Sequence, residues 1–195
     1  MKLINKALHL ISLILLMTTS SCQDKYPDLE DGLYAEIVTS KGTMIAKLEY
    51  EKIPLTVSNF VALAEGNHPL VKDEYKEKKY FNGLKFHRVI DQFMIQTGDP
   101  TATGSGDPGY KFSNEIHPDF KYDKPGVLGM ANSGPGGTNG SQFFITEVPY
   151  PSLDNNYTIF GELVKGFEIQ DSISNVIVGP GNKPVEDVVM TSLFL

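Results

Sequence analysis

Arg88 is the residue from which to ask what this sequence can do. It stands in a stretch, residues 86–100, that reads as two short apolar strands interrupted at Asp91 and Gln92 and ended by Gly98, Asp99 and Pro100. Phe86, Phe93, Met94 and Ile95 surround it in sequence. A guanidinium stays charged and presents its donors in a rigid fork. Among large apolar side chains it can serve as a donor to a bound group. On a surface it is one half of an ion pair, and such pairs contribute little. Arg88 alone leaves both readings open.

Other chemistries fail on spacing. The loop Gly104-Ser105-Gly106-Asp107-Pro108-Gly109 formally matches a dinucleotide fingerprint. Pro108 stands where a helix should start, no strand-to-helix unit surrounds the loop, and Asp107 would repel a pyrophosphate. The second glycine-rich loop, residues 133–141, lacks the lysine that a phosphate-cradling loop requires before its Ser or Thr. His68, His87 and His117 are scattered, with no second ligand at metal spacing on a helix. No G-x-S-x-G nucleophile elbow occurs. Neither a metal nor a cofactor is expected.

The elements that must position these residues are mostly strands. Residues 34–40 and 43–50 read as a hairpin turning at Lys41 and Gly42, with Met44, Ala46 and Leu48 on one face. The strongest helix spans residues 54–66: Thr56 can cap it, Val57, Phe60, Val61 and Ala64 form an apolar face, and Gly66 stops it. Residues 72–79 are densely charged and read as a solvated loop or short helix. Further strands are expected over residues 127–132, 142–148, 157–164 and 188–195. A short helix over 166–174 should bury Phe167, Ile169 and Ile173. About eight strands joined directly, with two helices, argue for an antiparallel barrel or sandwich rather than a parallel sheet. Barrel closure would remove exposed strand edges.

The N-terminus carries a different message. Lys2 and Lys6 precede an apolar run over residues 7–17, then small residues and Cys22. The run is shorter than the ~20 residues a bilayer span needs, and its flanks match an export signal. Cys22 at the cleavage point is similar to a bacterial lipoprotein signal, although Thr19 departs from the common leucine. Ordinary cleavage nearby, or a free thiol in a leader, are the alternatives. The expected organisation is a signal over 1–21, an acidic tether over 22–32 and one domain over 33–195. A lipid on Cys22 would anchor the protein in the bacterial cell envelope, facing the periplasm. One cysteine excludes an intramolecular disulfide and a cysteine metal cluster. A net charge of −7 argues against nucleic acid partners, and membrane contact should come through the lipid alone.

Four ordered segments then bring Arg88 into a pattern: Phe86-His87-Arg88; Phe93-Met94 with Gln96; Gly126-Val127-Leu128-Gly129-Met130-Ala131-Asn132; and Asn139-Gly140-Ser141-Gln142-Phe143-Phe144-Ile145. Over residues 33–195 the chain closely resembles the cyclophilin family of peptidyl-prolyl cis–trans isomerases. The resemblance implies an eight-stranded antiparallel closed barrel capped by two α-helices, with a groove for proline-containing peptides. It implies that Arg88 is catalytic and that Phe93, Met94, Phe144 and Leu153 line the proline pocket. Gln96, Ala131, Asn132, Gln142 and Tyr157 would bind the peptide, with His87 at the groove's edge. Ser152, Tyr157 and Thr97 depart from the usual family residues, and Ser152 weakens the expectation of tight cyclosporin binding. Residues 72–79 resemble an insertion. The expected function is isomerisation of X-Pro bonds in exported proteins, by a monomer without cofactor. A non-catalytic proline-peptide-binding chaperone module is the alternative, and a glycan- or ligand-binding surface lipoprotein a remoter one.

Overall fold

A computed structural model of the chain describes residues 25–134 and 136–195. The chain divides into two units, Met1–Asp31 and Gly32–Leu195. Of the first, the described residues form a turn in which the Leu29 amide donates to the Tyr26 carbonyl. Cys22 and the apolar run before it lie outside the described residues. Among the described residues no helix is long and apolar enough to cross a membrane.

The second unit starts with the expected hairpin, β1 (Leu33–Thr39) and β2 (Gly42–Leu48). Ala35 and Ile37 of β1 and Met44, Ala46 and Leu48 of β2 are buried, the period-two pattern of a half-buried pair. Thr39 shapes the turn, its hydroxyl donating to the Gly42 carbonyl at 2.8 Å and accepting from the Lys41 amide at 3.1 Å.

Helix α1 (Pro54–Glu65) follows, with proline in its first turn and Gly66 in the left-handed conformation at its end. Two expectations for it are corrected. Thr56 is not its cap: Glu115 reaches in from a later loop and accepts from the amides of Leu55 (3.1 Å) and Thr56 (2.8 Å) and from the Thr56 hydroxyl (2.9 Å). A carboxylate there satisfies orphan amides and favours the helix dipole. Leu63 rather than Val61 completes the buried face with Val57, Phe60 and Ala64. Phe60 is the centre of the core, its ring 4.9 Å from Phe81, 5.4 Å from Phe143 and 5.2 Å from Phe160.

The remaining strands are β3 (Leu84–Lys85), β4 (Arg88–Ile90), β5 (Met94–Thr97), β6 (Val127–Met130), β7 (Phe143–Thr146), β8 (Ile159–Lys165) and β9 (Val189–Phe194). They form one nine-stranded sheet in the order β3-β9-β1-β2-β8-β6-β7-β5-β4, every pair antiparallel. The expected eight-stranded closed barrel is therefore corrected to a nine-stranded curled half-barrel. The extra strand is β3, two residues just ahead of the stretch read as strand from Phe86; it pairs with β9, while β4 pairs with β5. Strands β3 and β4 are the ends of the ladder and are not paired with each other.

Helix α2 (Phe167–Ser174) buries Ile173, Gln170 and Ser174, while Phe167 is 42% exposed against expectation. Gln170 donates to the Thr146 carbonyl at 2.6 Å, so the helix is tied to the end of β7 by a buried amide. The charged segment forms a 3-10 turn, Asp73–Tyr75, with no buried residue, as its composition suggested.

Candidate active site

The sheet's register assembles the groove. Val89, Ile95, Ile145 and Leu128 are successive partners across β4, β5, β7 and β6, and all lie in the main core. The adjacent row faces the other way: Arg88 opposite Gln96, Gln96 opposite Phe144, Phe144 opposite Gly129. Because the side-chain period is two, burying the first row forces the second onto the opposite face. Gly129 is required here by space: a Cβ would lie 2.5 Å from the Phe144 ring and 2.2 Å from the Tyr122 hydroxyl. A second cluster thus forms outside the main core from Met94, Tyr122, Val127, Phe144, Leu153 and Ile159.

Above this row lies a groove of about 300 Å³. His87, Arg88, Phe93, Met94, Gln96, Ala131, Asn132, Phe144, Leu153 and Tyr157 all line it. Gln142 lies next to them, lining a neighbouring hollow of about 360 Å³ that shares Gln96, Gly104, Ala131 and Asn132 with the groove. Ser152 is exposed on the 3-10 turn Pro151–Leu153 and does not line the groove.

A chain of amides crosses the floor. Arg88 donates from Nη1 to Gln96 Oε1 at 3.1 Å, and Gln96 donates from Nε2 to Gln142 Oε1 at 3.0 Å. Gln142 donates in turn to the carbonyls of Gly106 (2.9 Å) and Gly104 (3.2 Å). The guanidinium carbon lies 6.0 Å from the Phe93 ring centre. Phe93 is placed by the turn after β4, where Gln92 takes φ +57° and its amide donates to the Glu147 carboxylate at 2.6 Å. On the far side Tyr122 lies under Phe144, ring centres 5.8 Å apart. Its amide donates to Asp154 at 2.8 Å, which holds the turn carrying Leu153.

The loop that receives Gln142 is wound on one carboxylate. Asp99, 1% exposed, accepts from the amides of Thr101, Thr103, Gly104 and Gly106 and from the Thr101 hydroxyl. Burial alone would raise its pKa. The hydrogen bonds from Thr101, Gly106 and Gly104 outweigh that and hold the carboxyl below its usual range. Thr97 is fully buried and donates to the Lys85 carbonyl at 3.0 Å, which ties β5 to β3. His87 is 6% exposed with neither ring nitrogen hydrogen-bonded, and burial pushes its pKa below the ordinary histidine value.

Several residues at the groove escaped the sequence reading. Thr103, Gly104 and Gly181 line it and Tyr122 supports it. Gly104 belongs to a loop whose only sequence signal was the rejected phosphate fingerprint. Tyr122 and Gly181 carry no local signal, because only the tertiary fold brings them to the groove. Asn114 is another. It accepts from Asn132 and Asn139 and donates to the Asn156 carbonyl, joining three loops beside the groove. Among the described residues no cluster of metal-ligating side chains occurs.

The family model described as "Cyclophilin type peptidyl-prolyl cis-trans isomerase/CLD" matches residues 34–194. The chain is 44% identical over 171 residues to the "Probable peptidyl-prolyl cis-trans isomerase A" of Mycobacterium leprae, covering 83% of this chain and 91% of that protein. It is 44% identical over 173 residues to "Peptidyl-prolyl cis-trans isomerase B" of Streptomyces anulatus, covering 86% and 98%. Among solved structures, a cyclophilin-type isomerase of Cryptosporidium parvum, crystallised in the presence of the dipeptide Ala-Pro, matches with a TM-score of 0.75. Identity to it is 34%, over 84% of this chain and 98% of that one.

Proposed function

The chain belongs to the cyclophilin-type peptidyl-prolyl cis–trans isomerases and is an enzyme of that activity, and from this we propose that Arg88 is its catalytic group. Amide resonance sets a barrier of ~18–20 kcal/mol to rotation about the peptide bond. Uncatalysed X-Pro isomerisation therefore takes tens to hundreds of seconds. In the twisted transition state the resonance is lost and the proline nitrogen recovers its lone pair. A guanidinium directed at that nitrogen gains a hydrogen bond that hardly exists in the planar ground state. Only such differential binding raises the rate.

The observation that carries this reading is the Arg88–Gln96–Gln142 chain beneath an apolar pocket. Gln96 occupies one end of the guanidinium and so fixes where its remaining donors point. Phe93, Met94, Phe144 and Leu153 grip the proline ring, while Gln142 and the backbone near Asn132 follow the turning peptide. Ala131, His87 and Tyr157 complete the walls. No step transfers a proton or forms a covalent bond, so the chemistry calls on no metal or cofactor. Arg88→Ala is expected to lower kcat/KM for an Ala-Pro peptide by about 10²–10³-fold, the scale for removing one preorganised donor. Peptide affinity measured by NMR titration should change only a few-fold. Wild-type turnover in the variant would remove Arg88 from the mechanism.

The setting is proposed as the bacterial envelope, with X-Pro bonds of exported proteins as substrates and the protein acting as a monomer. Support comes from Lys2 and Lys6, the apolar run over residues 7–17, Cys22 and the two bacterial relatives. In cells fed labelled palmitate, the wild type should take up label and Cys22→Ser should not. Absence of label from the wild type would count against the anchor.

A further inference from the structure

The hairpin over residues 175–186 carries apolar side chains that the fold leaves in water. Ile177 is 80% exposed and Val185 67%. The Val185 amide donates to the Ile177 carbonyl at 2.9 Å and the Gly179 amide to the Lys183 carbonyl at 2.8 Å, with Val178 opposite Pro184 between them. Successive residues of such a ladder point to opposite faces. Pro184 is buried and its partner Val178 is 39% exposed, half the value at Ile177, so Ile177 and Val185 form a cross-strand pair on the more open face. Two opposed β-branched side chains usually stabilise a hairpin by meeting under cover. Here nothing of the second unit covers them.

The tip of this hairpin belongs to the groove. Pro180–Asn182 forms a 3-10 turn with Gly181 at φ +73°, the turn packs against β4, and Gly181 is one of the groove's lining residues. A peptide seated on Phe93, Met94 and Phe144 has this turn as one wall. The exposed pair stands about 10 Å back along the hairpin from Gly181, at ~3.3 Å per residue over the paired positions and ~2 Å over the turn, which is the span of about three residues of extended peptide.

We infer that Ile177 and Val185 continue the proline groove into a docking surface for an apolar stretch about three residues from the proline of an unfolded polypeptide substrate. The inference rests on the groove being the proline site and names the kind of chain that fits it best. The continuity through Gly181 selects the substrate as occupant. Two side chains also cover far less than the ~1,000 Å² that a stable contact with a second folded protein requires.

The test uses the full chain and three kinds of substrate, with isomer exchange read by NMR. The first is an Ala-Pro tetrapeptide. The others are longer peptides carrying either a Leu-Leu or a Ser-Ser pair about three residues before or after the proline. The wild type should show a KM about five-fold lower for one of the Leu-Leu peptides than for its Ser-Ser counterpart. The double substitution Ile177→Ser, Val185→Ser should erase that difference and leave tetrapeptide turnover within about two-fold of wild type. Equal KM values in the wild type, or a preference that survives the double substitution, would overturn the inference while tetrapeptide turnover stands. Loss of a wild-type dimer in the double variant with peptide preference unchanged would overturn it in favour of a second copy. No tetrapeptide turnover by the wild type would overturn the isomerase reading, and the inference with it.

Discussion

Arg88 is the chain's only arginine, and its observed partner is an amide oxygen in a groove rather than a surface carboxylate. Its neighbour His87 makes the opposite kind of commitment, giving up both ring nitrogens to burial without a hydrogen bond. Burial holds the folded pKa of His87 below the ordinary 6.5, so the unfolded chain takes up the proton first. Stability is then full above pH 6.5 and is lost as pH falls through the lower folded value. His87→Leu should remove that dependence. It should also add about 1 kcal/mol at neutral pH, since an apolar isostere leaves no buried donor or acceptor unsatisfied. Urea unfolding of both proteins at pH 7.5 and 5.5 checks this, and parallel losses in the two would contradict it. The residues of the groove were legible where they fell in short, distinctive runs such as Phe86-His87-Arg88 and Gln142-Phe143-Phe144. Tyr122, Thr103 and Gly181 were not, because each is an ordinary residue in its own segment and reaches the site only through tertiary contacts.

Among the elements, the β1–β2 hairpin and both helices were readable from period and punctuation. The misreadings have physical causes. Local pattern offered Thr56 as the cap of α1, yet Glu115 supplies it from 59 residues along the chain, a distance no helix-start signal can cover. Phe167 counts as apolar in any periodic reading, but its ring packs beside the backbone of Gly126 at the sheet's rim and stays 42% exposed. β3 escaped because its two residues, Leu84 and Lys85, are too few to show a period, and only their pairing with β9 makes them a strand. Glu115→Ala should expose the cost of the remote cap. About 1–2 kcal/mol of stability is expected to go, the range for losing a helix N-cap, with kcat/KM within about two-fold because Glu115 does not line the groove. Urea titration reads the first and the peptide assay the second. A loss below about 0.5 kcal/mol, ordinary for a surface substitution, would show that the cap is not needed.

At the scale of the molecule, antiparallel class and two helices followed from the sequence, while strand count and closure depended on pairing that no local pattern encodes. The ladder's order also distributes importance unevenly along the chain. Residues 1–31 fall outside the unit that holds the sheet. A protein starting at Gly32 is therefore expected to keep the unfolding midpoint and tetrapeptide turnover of the longer chain. Removal of residues 188–195 should be of another order, because β9 lies between β3 and β1 and buries Met190 and Leu193, with Val188 buried just ahead of it. That shortened chain should show no cooperative unfolding by circular dichroism, and a sharp transition would refute the expectation. The position of β9 has a consequence for biosynthesis. β1 can pair with β2 as soon as their hairpin is made, but its other edge waits for a strand more than 150 residues further along the chain. That edge of the sheet is therefore paired late, and the nascent chain carries β1 half-paired through most of the synthesis of the strands between.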